Sequence, residues 1–176
     1  MSNASADVGA ATAVYVAAGG NIEPEKNLRL ALAELARTWP ALHVSTAYRN
    51  AAVGFVGPDF INCVVGFETE WPLERVLERL HEIEELCGRP RLAPKWEPRA
   101  MDLDILLFGE RIDAAARLPR PDLVKRAFML GPMAEIAPDV RHPTLGATMR
   151  ELWAAFPQAA HPMTRVDLTA APVVSR

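Results

Sequence analysis

Residues 60–88 read FINCVVGFETEWPLERVLERLHEIEELCG. The first ten of these are rich in β-branched and aromatic side chains, so Phe60 to Thr69 predicts a long strand. After Pro72 the pattern changes period. Leu73, Val76, Leu77, Leu80, Ile83 and Leu86 recur at spacings of three and four, with Glu and Arg between them. That is one apolar face of a helix, and Gly88 is placed as its C-terminal cap. A Pro- and Arg-rich loop follows from Arg89 to Arg99, and Asp102 to Phe108 then reads as a buried strand.

Upstream, Val14 to Ala18 predicts a short strand ending in a turn at Gly19-Gly20-Asn21. Pro24 opens a helix carrying Leu28, Leu32, Leu35 and Trp39, which Pro40 stops. Leu42 to Tyr48 predicts a second strand, and Asn50 to Pro58, with Gly54 and Gly57, a loop. The order strand, helix, strand, strand, helix, strand is that of a ferredoxin-like α+β sandwich, an antiparallel sheet with helices packed on it. Beyond Gly109 the sequence predicts a further loop, the stretch Phe128 to Leu130, and extra C-terminal helices near Met133 to Ile136 and Thr148 to Phe156, covering the open side of the sheet. One domain over residues 13–166 is expected, between a disordered tail at 1–12 and a C-terminal tail at 167–176.

The whole chain has 176 residues, half of them hydrophobic and 23% charged, with a net charge of -3. That suits one domain with a real core and disfavours non-specific nucleic-acid binding. Cys63 and Cys87 sit in apolar stretches outside any CxxC pattern, and read as free thiols of a reducing compartment. No apolar run reaches the roughly 18 to 20 residues that span a bilayer, and the small, polar start does not read as a secretory signal. The expected location is cytoplasmic.

The chemistry concentrates at Asp102-Leu103-Asp104. Residues two apart on a strand share a face, so the two carboxylates project side by side, roughly 7 Å apart at the backbone. A carboxylate pair entering a buried strand stays ionised only beside cations. Such hard oxygen donors suit magnesium carrying nucleotide phosphates. Arg89, Arg91, Lys95 and Arg99 lie in the loop just before the pair, and guanidinium groups can neutralise phosphate oxygens in bidentate fashion. The same loop could equally be a solvated basic stretch paired with Glu82, Glu84, Glu85 and Glu97.

The segment Arg99-Ala100-Met101-Asp102-Leu103-Asp104-Ile105-Leu106-Leu107-Phe108-Gly109 resembles the signature PRTLDLDILLFG of the 6-hydroxymethyl-7,8-dihydropterin pyrophosphokinases. Ala18-Gly19-Gly20-Asn21 resembles that family's GSN turn. Tyr48-Arg49, Val53-Gly54 and Pro58-Asp59-Phe60-Ile61-Asn62 resemble its YRTxPxG and PDYLN motifs. Ile83-Glu84 with Gly88-Arg89-Pro90-Arg91 resembles IE and GRxR, and Arg126-Ala127-Phe128-Met129-Leu130 through Glu135-Ile136-Ala137-Pro138 resembles RxFVLxPLxEIAP. The resemblance runs from about Val14 to about Pro143.

It implies an ATP- and magnesium-dependent transfer of diphosphate to a pterin hydroxymethyl group, releasing AMP, in folate biosynthesis. Asp102 and Asp104 would hold two magnesium ions. Arg89, Arg99 and Arg126 would contact ATP phosphates, and Arg91 would assist closure of a mobile loop. Glu84 and Ile105 would lie at the nucleotide, Ile105 as an apolar wall of the adenine pocket. Phe60 and Phe128 would stack on the pterin, Asn62 would read its edge, Trp96 would fold over it, and Asn50, Ala51 and Val53 would complete the rim. The expected partners are ATP and 6-hydroxymethyl-7,8-dihydropterin, with neither nucleic acid nor membrane, and the expected state is a monomer.

The chain departs from the family pattern in places. Phe60 stands for a tyrosine, Asn50 and Ala51 for a threonine and a proline, and Glu97 for a glycine. The loop after Gly109 is about two residues shorter and lacks the family's ATP-contacting histidine. Alignment from the right puts Arg120 there and alignment from the left puts Asp122. Arg120 is preferred, because the following residues then fit without a gap, and an arginine can still hold phosphate. Two other readings compete with the enzyme. An RNA-binding sheet would use exposed aromatics, which the acidic pair and negative charge disfavour. An enzyme of the same fold with another alcohol acceptor is motivated by Asn50, Ala51 and Arg120.

Overall fold

The computed structural model of the chain describes residues 10–88 and 100–169. Its strands are β1 (Thr12–Gly20), β2 (His43–Val44), β3 (Ala47–Asn50), β4 (Phe60–Thr69), β5 (Asp102–Phe108) and β6 (Thr164–Val166). Its α-helices are α1 (Pro24–Thr38), α2 (Leu73–Leu86), α3 (Ala127–Ile136) and α4 (Met149–Ala155). The strands form one sheet in the order β5-β1-β4-β3-β6, with β2 also paired to β4, and every described pairing is antiparallel. With β2 and β3 taken together as the second strand, the core follows the ferredoxin-like β-α-β-β-α-β plan. β6 extends it beyond β3.

Strand alternation divides the apolar residues between two cores. Val14, Val16, Ala18, Cys63, Val65, Leu103 and Ile105 face α1 and α2, where they meet Leu28, Leu35, Val76, Leu80 and Ile83. Ala17, Val64, Leu106 and Leu107 face the other side, under Met129, Leu130 and Met133 of α3. Leu106 and Leu107 share a face although adjacent because the β1–β5 register slips between Tyr15 and Val16. A bulge of this kind turns an extra residue onto one side.

Both long helices start and stop where the sequence signals them. Pro24 is the first residue of α1, and Trp39 with Pro40 ends it. Gly88 follows α2 with φ of 91°, the left-handed backbone that glycine adopts without strain. Leu86, expected on the buried face of α2, is exposed.

Other expectations are corrected. The predicted single strand from Leu42 to Tyr48 is broken at Ser45, whose hydroxyl accepts from Val64 N at 2.9 Å. β1 does not stop before Gly19 but runs through Gly20. Phe128 to Leu130 and the helix predicted near Met133 are one helix, α3, with Pro132 inside it. Proline removes an intrahelical bond, but α3 is buried at Ala127, Met129, Leu130, Pro132, Met133 and Ala134. Packing of that extent outweighs local propensity. No helix among the described residues is long and apolar enough to cross a membrane.

Candidate active site

Register and parity bring the site together at one end of the sheet. Asp102 is paired with Gly19, Gly19 with Asn62, and Asn62 with Tyr48. Directly opposite residues in an antiparallel sheet share a face, so these four lie in one row on the α3 side. Asp104 opposite Ala17, and Phe60 opposite Asn50, belong to the same face by the period of two. Ala17 is part of the core under α3, which fixes the side on which both aspartates emerge.

The result is a cavity of about 170 Å³ whose lining includes Asp102, Asp104, Arg120, Phe60, Asn62 and Phe128. Asn50 and Val53 border it as well. A neighbouring hollow of about 210 Å³ shares Asn50, Val53 and Phe128 and adds Ala51, Arg126 and His161. Arg126 and Ala51 therefore sit across the Val53–Phe128 wall from the acidic pair. A larger hollow of about 370 Å³ lies at the far end of the sheet around Tyr15, Trp39, His43 and Glu68. It contains no arginine or lysine among its described lining residues, so it offers nothing to hold a polyphosphate.

Glycine is required at position 19. A Cβ there would collide with the Asn62 side-chain oxygen, so the Asn62 amide occupies the space that the missing side chain leaves. Asn62 in turn donates from Nδ2 to Asn50 Oδ1 at 2.6 Å, and Asn50 Nδ2 donates to Ala51 O at 3.0 Å. The amide that lines the cavity is thus fixed from below and from the side. Gly19→Ala is expected to push Asn62 out of place and to weaken binding of the pterin that the family resemblance implies about tenfold, or ~1.4 kcal/mol. Isothermal titration with the pterin checks this; unchanged affinity contradicts it.

Glu84 does not line the cavity. It is 7% exposed, and its Oε1 accepts from Leu103 N at 2.8 Å. β5 is the edge strand of the sheet, so this N–H, between the two aspartates in sequence, needs a partner from outside the ladder. The helix α2 supplies it. Glu84→Ala strips a buried donor of that partner and is expected to cost about 1–3 kcal/mol of stability. The urea midpoint should fall with the slope unchanged; an unmoved midpoint contradicts the assignment. Ile105, expected at the adenine, is buried in the core against α1 and α2.

Two aromatic residues meet at the cavity's loop side. Phe55 lies edge-on to Phe60, with ring centroids 6.2 Å apart and planes at 81°. Sequence reasoning missed Phe55; an aromatic between Gly54 and Gly57 was the available signal. Phe128 is partly buried and projects from the first turn of α3. Arg89, Arg91, Lys95, Trp96, Glu97 and Arg99 lie outside the described residues.

Burial pushes the Cys63 thiol up to about 12 and, with help from Glu84 and Glu34, Cys87 to about 11. Both stay protonated at neutral pH and are poor nucleophiles. The donor set of the cavity suits a hard cation instead. Two carboxylates on one face leave most of a magnesium coordination shell to phosphate and water, as that ion prefers.

A family model described as 7,8-dihydro-6-hydroxymethylpterin-pyrophosphokinase matches residues 15–138. Over 143 residues the chain is 42% identical to a 2-amino-4-hydroxy-6-hydroxymethyldihydropteridine pyrophosphokinase of Synechocystis sp., covering 78% of this chain and 72% of that one. Over 150 residues it is 39% identical to the protein of the same name from Pseudomonas aeruginosa, covering 82% and 91%. Among solved structures, Plasmodium falciparum HPPK-DHPS with pterin and p-hydroxybenzoate superposes with a TM-score of 0.60 at 13% identity. That match takes in 85% of this chain and 44% of the longer one, and shows the shared fold. The chain belongs to the 7,8-dihydro-6-hydroxymethylpterin-pyrophosphokinase family.

Proposed function

We propose that the cavity between β5 and α3 is where diphosphate passes from ATP to the hydroxymethyl group of 6-hydroxymethyl-7,8-dihydropterin, releasing AMP in folate biosynthesis. The observation that carries this is one cavity lined by the strand-borne pair Asp102 and Asp104, the further carboxylate of Asp122, the guanidinium of Arg120, the rings of Phe55, Phe60 and Phe128, and the fixed Asn62 amide. Groups suited to polyphosphate and groups suited to a flat ring line the same cavity.

Phe60 and Phe128 hold the pterin by its faces, and Asn62 reads its donor and acceptor edge. This orients the hydroxymethyl oxygen toward the acidic end. That oxygen forms a bond to the β-phosphorus of ATP as the bond from the β-phosphorus to the oxygen bridging it to the α-phosphorus breaks. AMP leaves, and the alcohol proton is released. Asp102 and Asp104 would hold magnesium, two ions by the family resemblance. When bound, the metal neutralises charge on the phosphate oxygens. Arg120 adds a positive charge at the acidic end, and by the same resemblance Arg89, Arg99 and Arg126 would contribute phosphate contacts. Catalysis here is positioning plus charge placed in advance. By the same resemblance Arg91 and Trp96 would close the site against water, which competes for the activated phosphate. The two free cysteines support a reducing compartment, the cytoplasm.

The test is direct. Purified protein with ATP, magnesium and 6-hydroxymethyl-7,8-dihydropterin is expected to yield AMP and pterin diphosphate in equal amounts. Folded protein that forms no AMP with this acceptor overturns the proposal.

A further inference from the structure

Arg120 is tied to β5 in two ways. Its backbone N–H donates to Leu106 O at 2.9 Å, and its Nη2 lies 3.5 Å from Asp104 Oδ1. The first contact pins the residue to the outer edge of the strand that carries the acidic pair. The second puts a guanidinium against one of the two carboxylates assigned to metal. On its other side, Arg120 Nε is 3.8 Å from Asp122 Oδ2. That is close enough for attraction and too far for a hydrogen bond. Nε is buried and has no hydrogen-bond partner among the described residues, while the side chain as a whole is 19% exposed.

Two consequences follow. A fixed positive charge at Asp104 competes with any divalent cation for that carboxylate, because like charges a few ångströms apart repel strongly in a partly dry cavity. The buried Nε, without a hydrogen-bond partner among the described residues, gains one if the guanidinium swings to an incoming phosphate, which it could grip with paired N–H groups.

We propose that Arg120 is the resident counter-ion of Asp104, displaced onto the polyphosphate as nucleotide and metal enter together. This rests on the reading of Asp102 and Asp104 as metal ligands. Arg120 acts as a positioning residue that keeps the metal site weak until nucleotide arrives. Nucleotide then gives the guanidinium a new partner and takes its charge away from Asp104, so each ligand favours the other.

Binding of Mn²⁺ alone, followed by electron paramagnetic resonance, tests this without turnover. Arg120→Gln is expected to bind Mn²⁺ about tenfold more tightly than the unmodified protein in the absence of nucleotide. Arg120→Lys, which keeps the charge, should stay near the original affinity. Adding Asp104→Asn to Arg120→Gln should erase the gain, because the effect runs through that carboxylate. Matching circular dichroism spectra establish that the variants are folded.

Equal or weaker Mn²⁺ binding by Arg120→Gln overturns the counter-ion role. If Asp102→Asn and Asp104→Asn still abolish binding, that result leaves the metal assignment standing. Mn²⁺ binding undetectable in every form also overturns it. The pyrophosphokinase reading falls with it only if AMP formation fails in a separate assay.

Discussion

Asp102→Ala and Asp104→Ala are each expected to lower AMP formation about a thousandfold, ~4 kcal/mol of transition-state stabilisation, in a protein that remains folded. The two residues start β5 on the α3 side, opposite Gly19 and Ala17, and both are only partly buried. Truncating either leaves the apolar core below intact, since Leu103 and Ile105 point the other way. Their effect should therefore appear in turnover, with stability changed by less than about 1 kcal/mol. The phosphates of ATP carry charge that grows on the bridging oxygen as AMP departs. Cations held there by the two carboxylates would act mainly on this developing charge, so loss of one ligand should depress kcat at saturating substrate. Stopped-time measurement of AMP at saturating magnesium checks the prediction. Activity within tenfold of the original in either variant contradicts the metal assignment.

Phe128→Ala is the second large effect, expected to weaken pterin binding about thirtyfold, ~2 kcal/mol, with nucleotide affinity unchanged. Phe128 lines both the cavity and its neighbour, and it is only partly buried against the core under α3. Truncation removes one of the two faces between which a flat ring would lie, while Asp102, Asp104 and Arg120 stay in place. Titration of pterin and of a nucleotide analogue separates the two ligands. A selective loss of nucleotide binding would mean that the pocket has been assigned backwards.

The parts of this molecule that are legible in sequence are those decided by period. The repeat from Leu73 to Ile83 fixed α2, and the spacing of Asp102 and Asp104 put both carboxylates on one face without any coordinates. Elements decided by partners were not legible. β6 is three residues, Thr164–Val166, and is a strand because it pairs with β3; nothing in its own composition says so. Gly19 and Gly20 read as a turn because glycine breaks strands, yet Gly19 stays in β1 to make room for Asn62. The stretch Phe128 to Leu130 and the helix near Met133 read as separate, and burial of α3 carried one helix through Pro132. The approach of Arg120 to Asp104 depends on where the loop after β5 returns to its edge at Leu106, and spacing along the chain does not encode that path.

The central claim is tested most directly by a crystal structure with magnesium, an α,β-methylene analogue of ATP and 6-hydroxymethyl-7,8-dihydropterin bound together. The methylene bridge blocks transfer, so all three can be seen in place. The account predicts metal at both aspartates, about 2.0–2.1 Å from their oxygens, and the pterin between Phe60 and Phe128 with Asn62 at its edge. Arg120 should have moved from Asp104 to a phosphate oxygen. Nucleotide bound elsewhere, with Asp104 still held by Arg120, would contradict it.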